Sequence, residues 1–398
     1  MKDSFDHARR EFLDGVGHLQ AGRLDAAERC FETSLALLPG RVSTLVNLAA
    51  TRLRLGRPES ALPLLDQAQA TAPDDADAAY QRAQALAALG RPAEALAALE
   101  RLLEADPRHA GAWLRHGQAL QALERHAEAL GSYDRALAAD STLALAWTNR
   151  GNLLREAGRS AEAAASFRQA LAHGGDAHLL GYYLASTGEQ AAPARAPLRY
   201  VERLFDDYAA SFDSHLAALG YHAHERLVDL VRELGAVRVA SALDLGCGTG
   251  QCGALLRPMA ARLEGVDLSS AMLERARALG IYDALDHAEL VEHLQRTPSR
   301  HDLVIAADVF IYIGALDDVF AAVGRVLLPG GRFAFCVEST DDAAGFALQP
   351  SLRYAHAPPY LRAQAEKAGF EVERLDAAPV RQDQQRAIAG LYACLRKP

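Results

Sequence analysis

The run Leu243-Asp244-Leu245-Gly246-Cys247-Gly248-Thr249-Gly250 decides the fold of the second half of this 398-residue chain. A mostly apolar segment, Val239–Leu245, feeds a turn that carries three glycines in five residues. About twenty residues on, Asp267 ends a second apolar run, Leu263-Glu264-Gly265-Val266-Asp267. Two parallel strands arranged this way offer their carboxyl ends to a nucleotide-type ligand. Glycines let the backbone approach that ligand closely. An acid at the end of the second strand accepts both hydroxyl hydrogens of a ribose.

The spacing tells one nucleotide from another. Dinucleotide-binding folds use G-x-G-x-x-G to seat a pyrophosphate on a helix N-terminus. Here the pattern is G-x-G-x-G behind an acid, Asp244. That acid would repel a pyrophosphate and suits a ligand with an ammonium group and a sulfonium, as S-adenosylmethionine has. D-L-G-C-G-T-G followed by V-D-L-S resembles the first two motifs of class I S-adenosylmethionine-dependent methyltransferases. The resemblance implies a cofactor cradle of Asp244, Leu245, Gly246, Cys247, Gly248 and Gly250, with Asp267 and Leu268 at the second strand and S-adenosylhomocysteine as product.

Composition narrows the setting. The length calls for two domains or more, and the formal charge is −9. Residues 1–200 carry 22 Lys and Arg against 24 Asp and Glu, and residues 201–398 carry 20 against 27. Neither half is basic, so no nucleic-acid partner is expected. The five cysteines, Cys30, Cys247, Cys252, Cys336 and Cys394, form no C-x-x-C pair. This argues against a metal site or a disulfide framework and fits a reducing compartment. The start, Met1-Lys2-Asp3-Ser4-Phe5-Asp6, is charged, and no apolar run reaches eighteen residues. Neither a signal peptide nor a membrane partner is expected, which makes the cytoplasm the simplest location.

The first half repeats every 34 residues. Ala27, Ala61, Ala95, Ala129 and Ala163 keep that spacing. So do a small column (Gly15, Ala49, Ala83, Gly117, Gly151) and a large one (Phe31, Leu65, Leu99, Tyr133, Phe167). A third column reads Pro39, Pro73, Pro107, then Ser141 and Gly175. Small residues let two helices cross closely, large ones fill the adjoining hole, and proline stops the second helix. The pattern resembles five tetratricopeptide repeats over roughly 8–177. In the fourth, Glu124 stands where Gly22, Gly56, Gly90 and Gly158 stand in the others. Such repeats stack into an α-solenoid with a concave face. That face suits a peptide, protein or carrier-bound substrate; a homodimer contact or a plain scaffold are the other uses.

The expected domains are 1–188 for the solenoid, including a capping helix at 178–185, then a linker at 189–198, and a methyltransferase domain at 199–398. The linker is read from two prolines in Q-A-A-P-A-R-A-P without an apolar period. Phe205, Tyr208, Phe212 and Leu216 form one helical stripe at spacings of three and four within 199–217. An amphipathic helix packed on the core would show such a stripe. F-D-D-Y-A-A-S-F-D-S-H-L is also similar to the lid preceding many small methyltransferase domains. There the aromatics, here Tyr208 and Phe212, cover the cofactor and exclude water.

Strand–helix units follow in order: a helix at 252–261, a helix at 269–279 capped by Ser269 or Ser270, a weaker unit at 282–290, and a strand at 301–308. Leu328 to Phe335 turns into a fifth strand, and two more come from 370–372 and 390–395. Met272 packs either on an adenine or in the core. Glu289, rather than Asp286, is the acid expected at the adenine amino group. The fourth strand is apolar through its centre, as one buried on both faces should be. Its end places Ala307 and Asp308 at the methionine part of the cofactor. The fold class expected is an α-solenoid followed by a Rossmann-like α/β domain with a seven-stranded mixed sheet. L-D-L-G-C-G-T-G, G-V-D-L-S-S-A-M-L, Y-D-A-L, D-L-V-I-A-A-D-V-F-I-Y-I-G, L-P-G-G-R-F-A-F-C-V-E and R-Y-A-H sharpen the resemblance. They are similar to predicted methyltransferases with tetratricopeptide repeats, related to the human methyltransferase-like family of the Williams–Beuren region.

Methyl transfer is an in-line displacement with a neutral leaving group, so the protein chiefly positions the acceptor. A base is needed only where the acceptor loses a proton. His356, in Arg353-Tyr354-Ala355-His356 after the fifth strand, is the base expected, a surface loop histidine being the alternative. Tyr312 and Tyr354 would orient the acceptor and Arg353 would bind a carboxylate. No N-P-P-Y or D-P-P-Y follows the fourth strand, which disfavours base-amino and amide acceptors. The leading expectation is a methyltransferase acting on an O or N acceptor, carboxylate oxygen slightly favoured, delivered through the repeats. The alternatives are a small free metabolite with the repeats used for assembly, and an adaptor whose second half binds S-adenosylmethionine without turnover.

Overall fold

A computed structural model describes residues 2–236, 238–342, 345–383 and 386–398. The chain divides into two compact units, Met1–Gly175 and Asp176–Pro398. Among the described residues no helix is long and apolar enough to cross a membrane.

Among its described residues, the first unit is ten helices in five pairs, from Lys2–Gln20 to Ser160–Ala172. The small and large columns meet as their sizes require. A Cβ at Gly15 would lie 2.7 Å from Phe31, and one at Gly117 would lie 2.5 Å from Tyr133. Where the large residue is a leucine, at Leu65 and Leu99, the small one is alanine. All five large residues are buried. Gly22, Gly56, Gly90 and Gly158 turn each pair with φ near +70°, and Glu124 takes the same left-handed conformation at φ 59°. The second helices stop at Leu37, Thr71 and Ala105, two residues before each proline.

The second unit begins earlier than the sequence suggests. The helix expected to cap the repeats, Ala177–Ser186, lies within it. Its buried Tyr182 donates to the Leu352 carbonyl. The segment expected as a free linker is also pinned. Gly314 and Ala315 donate to the Ala194 carbonyl, and Ala196 donates to that of Tyr312. Backbone pairing, invisible to an apolar period, is the reason. The single lid helix expected at 199–217 is two helices, Leu198–Tyr208 and Phe212–Ala218.

The sheet is built from β1 Val239–Leu245, β2 Ala260–Asp267, β3 Ala284–His287, β4 His301–Ala306, β5 Leu327–Ser339, β6 Phe346–Leu348, β7 Tyr354–His356, β8 Glu371–Ala377, β9 Arg381–Asp383, β10 Arg386–Ile388 and β11 Gly390–Arg396. The main order is β3-β2-β1-β4-β5-β11-β8. The first five run parallel, and β11 is antiparallel to both of its neighbours. This is the seven-stranded mixed sheet expected of the Rossmann-like domain. Two short hairpins, β6–β7 and β9–β10, are additions the sequence did not reveal.

Alternate residues of the central strands enter opposite cores. Leu243, Val304, Phe333 and Phe335 pack with helices Leu290–Arg296, Asp317–Val326 and Pro358–Lys367. Ala242, Ile305, Ala334 and Cys336 pack with Ala223–Glu233 and Gln251–Leu256. The sheet is thus covered on both faces, which leaves its carboxyl edge as the open face.

Candidate cofactor and acceptor site

A cavity of about 620 Å³ opens at the carboxyl ends of β1, β2 and β4. The glycine turn forms its floor. Gly246, at φ 65°, lies where a Cβ would approach Val309 to 2.5 Å. Gly248, at φ 55°, has only Phe212 within 4 Å of where a Cβ would be. At Gly248 the turn is therefore bare on its cavity side. A ligand there meets backbone, as a nucleoside cradle requires.

Asp267 lines the cavity at the end of β2. Its carboxylate accepts the Gly248 N–H at 2.8 Å through one oxygen and the Ser269 N–H at 2.8 Å through the other. The Leu268 N–H supports it as well, and with about four acceptor positions the carboxylate keeps room for a further donor from the cavity. Burial pushes its pKa up, and the backbone donors counter only part of that. Ser269 is the N-cap of helix Ser270–Ala278, accepting the Met272 N–H at 3.1 Å.

Most of the expected cofactor residues meet here. Gly246, Cys247, Gly248, Leu268 and Met272 line the cavity, as do Tyr208 and Phe212 from the lid. Glu289, Ala307 and Asp308 complete that wall, whereas Asp286 is not part of it and instead pairs with His293 and Arg296. Asp244, Leu245 and Gly250 are not in the wall. Asp244 points behind the turn and accepts the Tyr282 hydroxyl at 2.7 Å. Burial raises its pKa to about 7. In a strand buried on both faces, no alternation told which side it would take.

The expected acceptor residues divide. Tyr312 and Arg353 line the cavity. Tyr312 is held by an edge-on contact with Phe205 at 5.6 Å, and burial raises its pKa to about 12. Tyr354 and His356 do not line it. Their segment is strand β7, paired with β5 rather than looped over the site. Tyr354 is buried and donates to the Pro193 carbonyl at 2.7 Å. His356 has no exposed surface, and its Nε2 lies 3.0 Å from the Gly314 carbonyl. Burial lowers its pKa to about 4, so the ring is neutral and serves packing.

Several functional groups went unread. Asp213 ties helix Phe212–Ala218 to the glycine turn and the helices after it by accepting from Thr249 at 2.6 Å, Gln251 at 2.9 Å and Arg275 at 3.0 Å. Burial pushes its carboxyl up, but these donors outweigh that and hold it below its ordinary value. Asp206 likewise accepts from Ser269 and Ala271. Asp308 sits at φ 59°, a strained conformation for a residue with a side chain. Arg381, from the unforeseen β9, pairs with Asp308 at 3.1 Å and with Glu338. Arg195, from the supposed linker, pairs with Glu289 at 3.4 Å. His224 also faces the cavity, stacked on Tyr221 and kept below its ordinary pKa by burial.

A family model described as a methyltransferase domain matches residues 243–335. One described as a tetratricopeptide repeat matches 15–76, 46–110, 80–144 and 114–178. The chain is 35% identical over 143 residues to malonyl-[acyl-carrier protein] O-methyltransferase of Geobacter sulfurreducens, covering 35% of this chain and 53% of that protein. It is 35% identical over 117 residues to methyltransferase-like protein 27 of Homo sapiens, covering 29% of this chain and 46% of that protein. It spans about half the length of the curated relatives it matches. A thermophilic TPR protein of Thermus thermophilus is 27% identical, with a TM-score of 0.40, covering 46% of this chain and 100% of that chain. By these family models the chain joins tetratricopeptide repeats to a methyltransferase domain.

Proposed function

We propose that the protein transfers a methyl group from S-adenosylmethionine to a carboxylate oxygen, on a substrate recruited as a peptide, protein or carrier conjugate by its repeats. The charge balance of the cavity carries this reading. Arg195 is matched by Glu289, and Arg381 by Asp308 and Glu338. Among the described residues, Arg353 has no carboxylate in ion-pair range; it bonds Tyr312 and acts on Glu338 at longer range. A cationic cofactor adds positive charge beside it. Asp267 already faces that cofactor, so the case for an anionic acceptor rests on the Arg353 guanidinium, whose paired donors match a carboxylate.

The bound cofactor supplies an electrophilic methyl on a sulfonium. The chain's part is to align and dry the site. Phe205, Tyr208 and Phe212 pack edge to face in the lid and shut out water. Arg353 and Tyr312 hold the acceptor. A carboxylate has no proton to lose, so the removal of His356 from the site costs this reaction nothing. The relative from Geobacter sulfurreducens, by its name, acts on an acyl group carried by a protein, which supports both the O acceptor and the carrier. His224 favours a second reading, an alcohol or amine acceptor with this neutral ring as base.

The test is product chemistry with the full-length chain and methyl-labelled cofactor. A methyl ester releases labelled methanol in mild alkali, whereas an N-methyl or ether product does not. Alkali-stable label would refute the carboxylate acceptor. Equal kcat/KM for a free and a carrier-bound acceptor would refute recruitment.

A further inference from the structure

Tyr282 has no part in the site described above, yet three glycines make room for it. A Cβ at Gly253 would collide with its hydroxyl; one at Gly265 would stand 2.9 Å from its Cε1 and 2.8 Å from Leu285, and one at Gly250 would stand 3.3 Å from its Cε2 and 2.7 Å from Leu279. These glycines belong to helix Gln251–Leu256, to β2 and to the turn. Only Gly250 also needs the left-handed backbone, at φ 96°. At Gly253 and Gly265 the absent side chain serves space alone. The next residue anchors the segment: the Asp283 carboxylate accepts from Leu263 N–H at 2.7 Å and from Arg257 at 2.8 Å. The first two residues of Y-D-A-L thus divide the work, Asp283 fixing the backbone and Tyr282 reaching under the turn.

What the tyrosine reaches is Asp244, which is 1% exposed. Its carboxylate accepts the Tyr282 hydroxyl at 2.7 Å and the Gly253 N–H. The other ionisable groups facing it are Asp267 on β2, Cys247 in the turn and Cys252 on the following helix. None of these is a cation. A buried carboxylate that loses a donor must take up a proton or move, and Gly246 is two residues away.

We propose that Tyr282 is a positioning residue for cofactor binding: its hydroxyl holds Asp244 behind the glycine turn and thereby sets residues 246–250 against the cofactor. This rests on the reading that the cavity binds S-adenosylmethionine. Tyr282→Phe keeps the ring among the three glycines and removes only the hydroxyl.

The experiment is calorimetry of the full-length chain with S-adenosylmethionine and S-adenosylhomocysteine between pH 6 and 8, alongside its melting temperature. Tyr282→Phe is expected to raise Kd for S-adenosylhomocysteine roughly ten- to a hundredfold at pH 8, the scale of one hydrogen bond to a charged group. The loss is smaller at pH 6, and the pH midpoint of binding moves upward. A role in packing alone would lower the melting temperature and leave that midpoint in place. A folded Tyr282→Phe with wild-type Kd and pH profile overturns the proposal. If that variant does not fold, Asp244→Asn decides: weaker binding at pH 8 with a flattened pH profile supports it, and wild-type affinity at pH 8 overturns it. Failure of the wild-type chain to bind either compound instead removes the underlying cofactor reading.

Discussion

The Thr249 hydroxyl donates a 2.6 Å hydrogen bond to the Asp213 carboxylate, joining helix Phe212–Ala218 to the glycine turn. The same carboxylate holds Gln251 and Arg275, so one acid draws the second lid helix onto three elements of the cofactor floor. Asp213→Ala should loosen the lid without unfolding the sheet. Its side chain is 40% exposed, so solvent screening discounts the loss to about 1 kcal/mol, or roughly fivefold in Kd. Calorimetry with S-adenosylhomocysteine measures it, and faster proteolysis within 198–220 should accompany it.

Asp267 should matter more, because its carboxylate lines the cavity and also holds the Gly248 and Ser269 N–H groups. Asp267→Ala removes both functions. The expected loss is about 1–3 kcal/mol of cofactor affinity. Unchanged affinity would show that the carboxylate serves the turn alone.

The parts of this fold that could be read in advance are those written as long periods. The 34-residue columns work because glycine faces an aromatic ring at Gly15 and Phe31, and alanine faces leucine at Ala49 and Leu65. The central strands were legible because both faces are apolar. The hairpins β6–β7 and β9–β10 have strands of three residues, too short for an alternation to show. This is why His356 was expected in an acceptor loop and Arg381 was missed. The charge pairs Arg195–Glu289 and Arg381–Asp308 join residues 94 and 73 positions apart, and nothing local marks either partner. Asp244 was recognised as an acid of the motif, but only the position of Tyr282 shows which way it faces.

His356 gives a pH dependence whose sign is set by burial. Its folded pKa, about 4, lies below the ordinary 6.5. The unfolded chain therefore binds the proton more readily between these values, and acid favours unfolding. The stability this ring contributes is full above pH 6.5 and is lost as pH falls toward 4, by about 3 kcal/mol. Asp244, raised to about 7, works oppositely: its burdened carboxylate costs stability as pH rises from about 4 to 7. Melting curves from pH 7 to 4.5 should fall less steeply for His356→Gln than for wild type. Parallel curves would refute the assignment.

In the repeats, Glu124 occupies a left-handed turn that four glycines fill elsewhere. A residue with a side chain pays about 1–2 kcal/mol there, and glycine's greater freedom when unfolded returns part of it. Glu124→Gly should thus stabilise the chain by about 1 kcal/mol. A raised denaturation midpoint at unchanged slope checks it.

Arg353 tests the acceptor directly. Its guanidinium lies in the cavity wall beside Tyr312, while the neighbouring Arg381 is committed to Asp308 and Glu338. Removing Arg381 would strand the buried Glu338 and the half-buried Asp308 and disturb the wall, whereas Arg353 acts on Glu338 only at longer range. Arg353→Ala should therefore leave cofactor affinity within about twofold and raise acceptor KM tenfold or more, the worth of one charge-assisted pair. Arg353→Lys keeps the charge but not the paired donors and should fall between them. The pattern separates an anion anchor from a packing role: packing would be restored by Arg353→Met, which carries similar bulk and no charge. A methionine variant as active as wild type would mean that the acceptor bears no negative charge at this position.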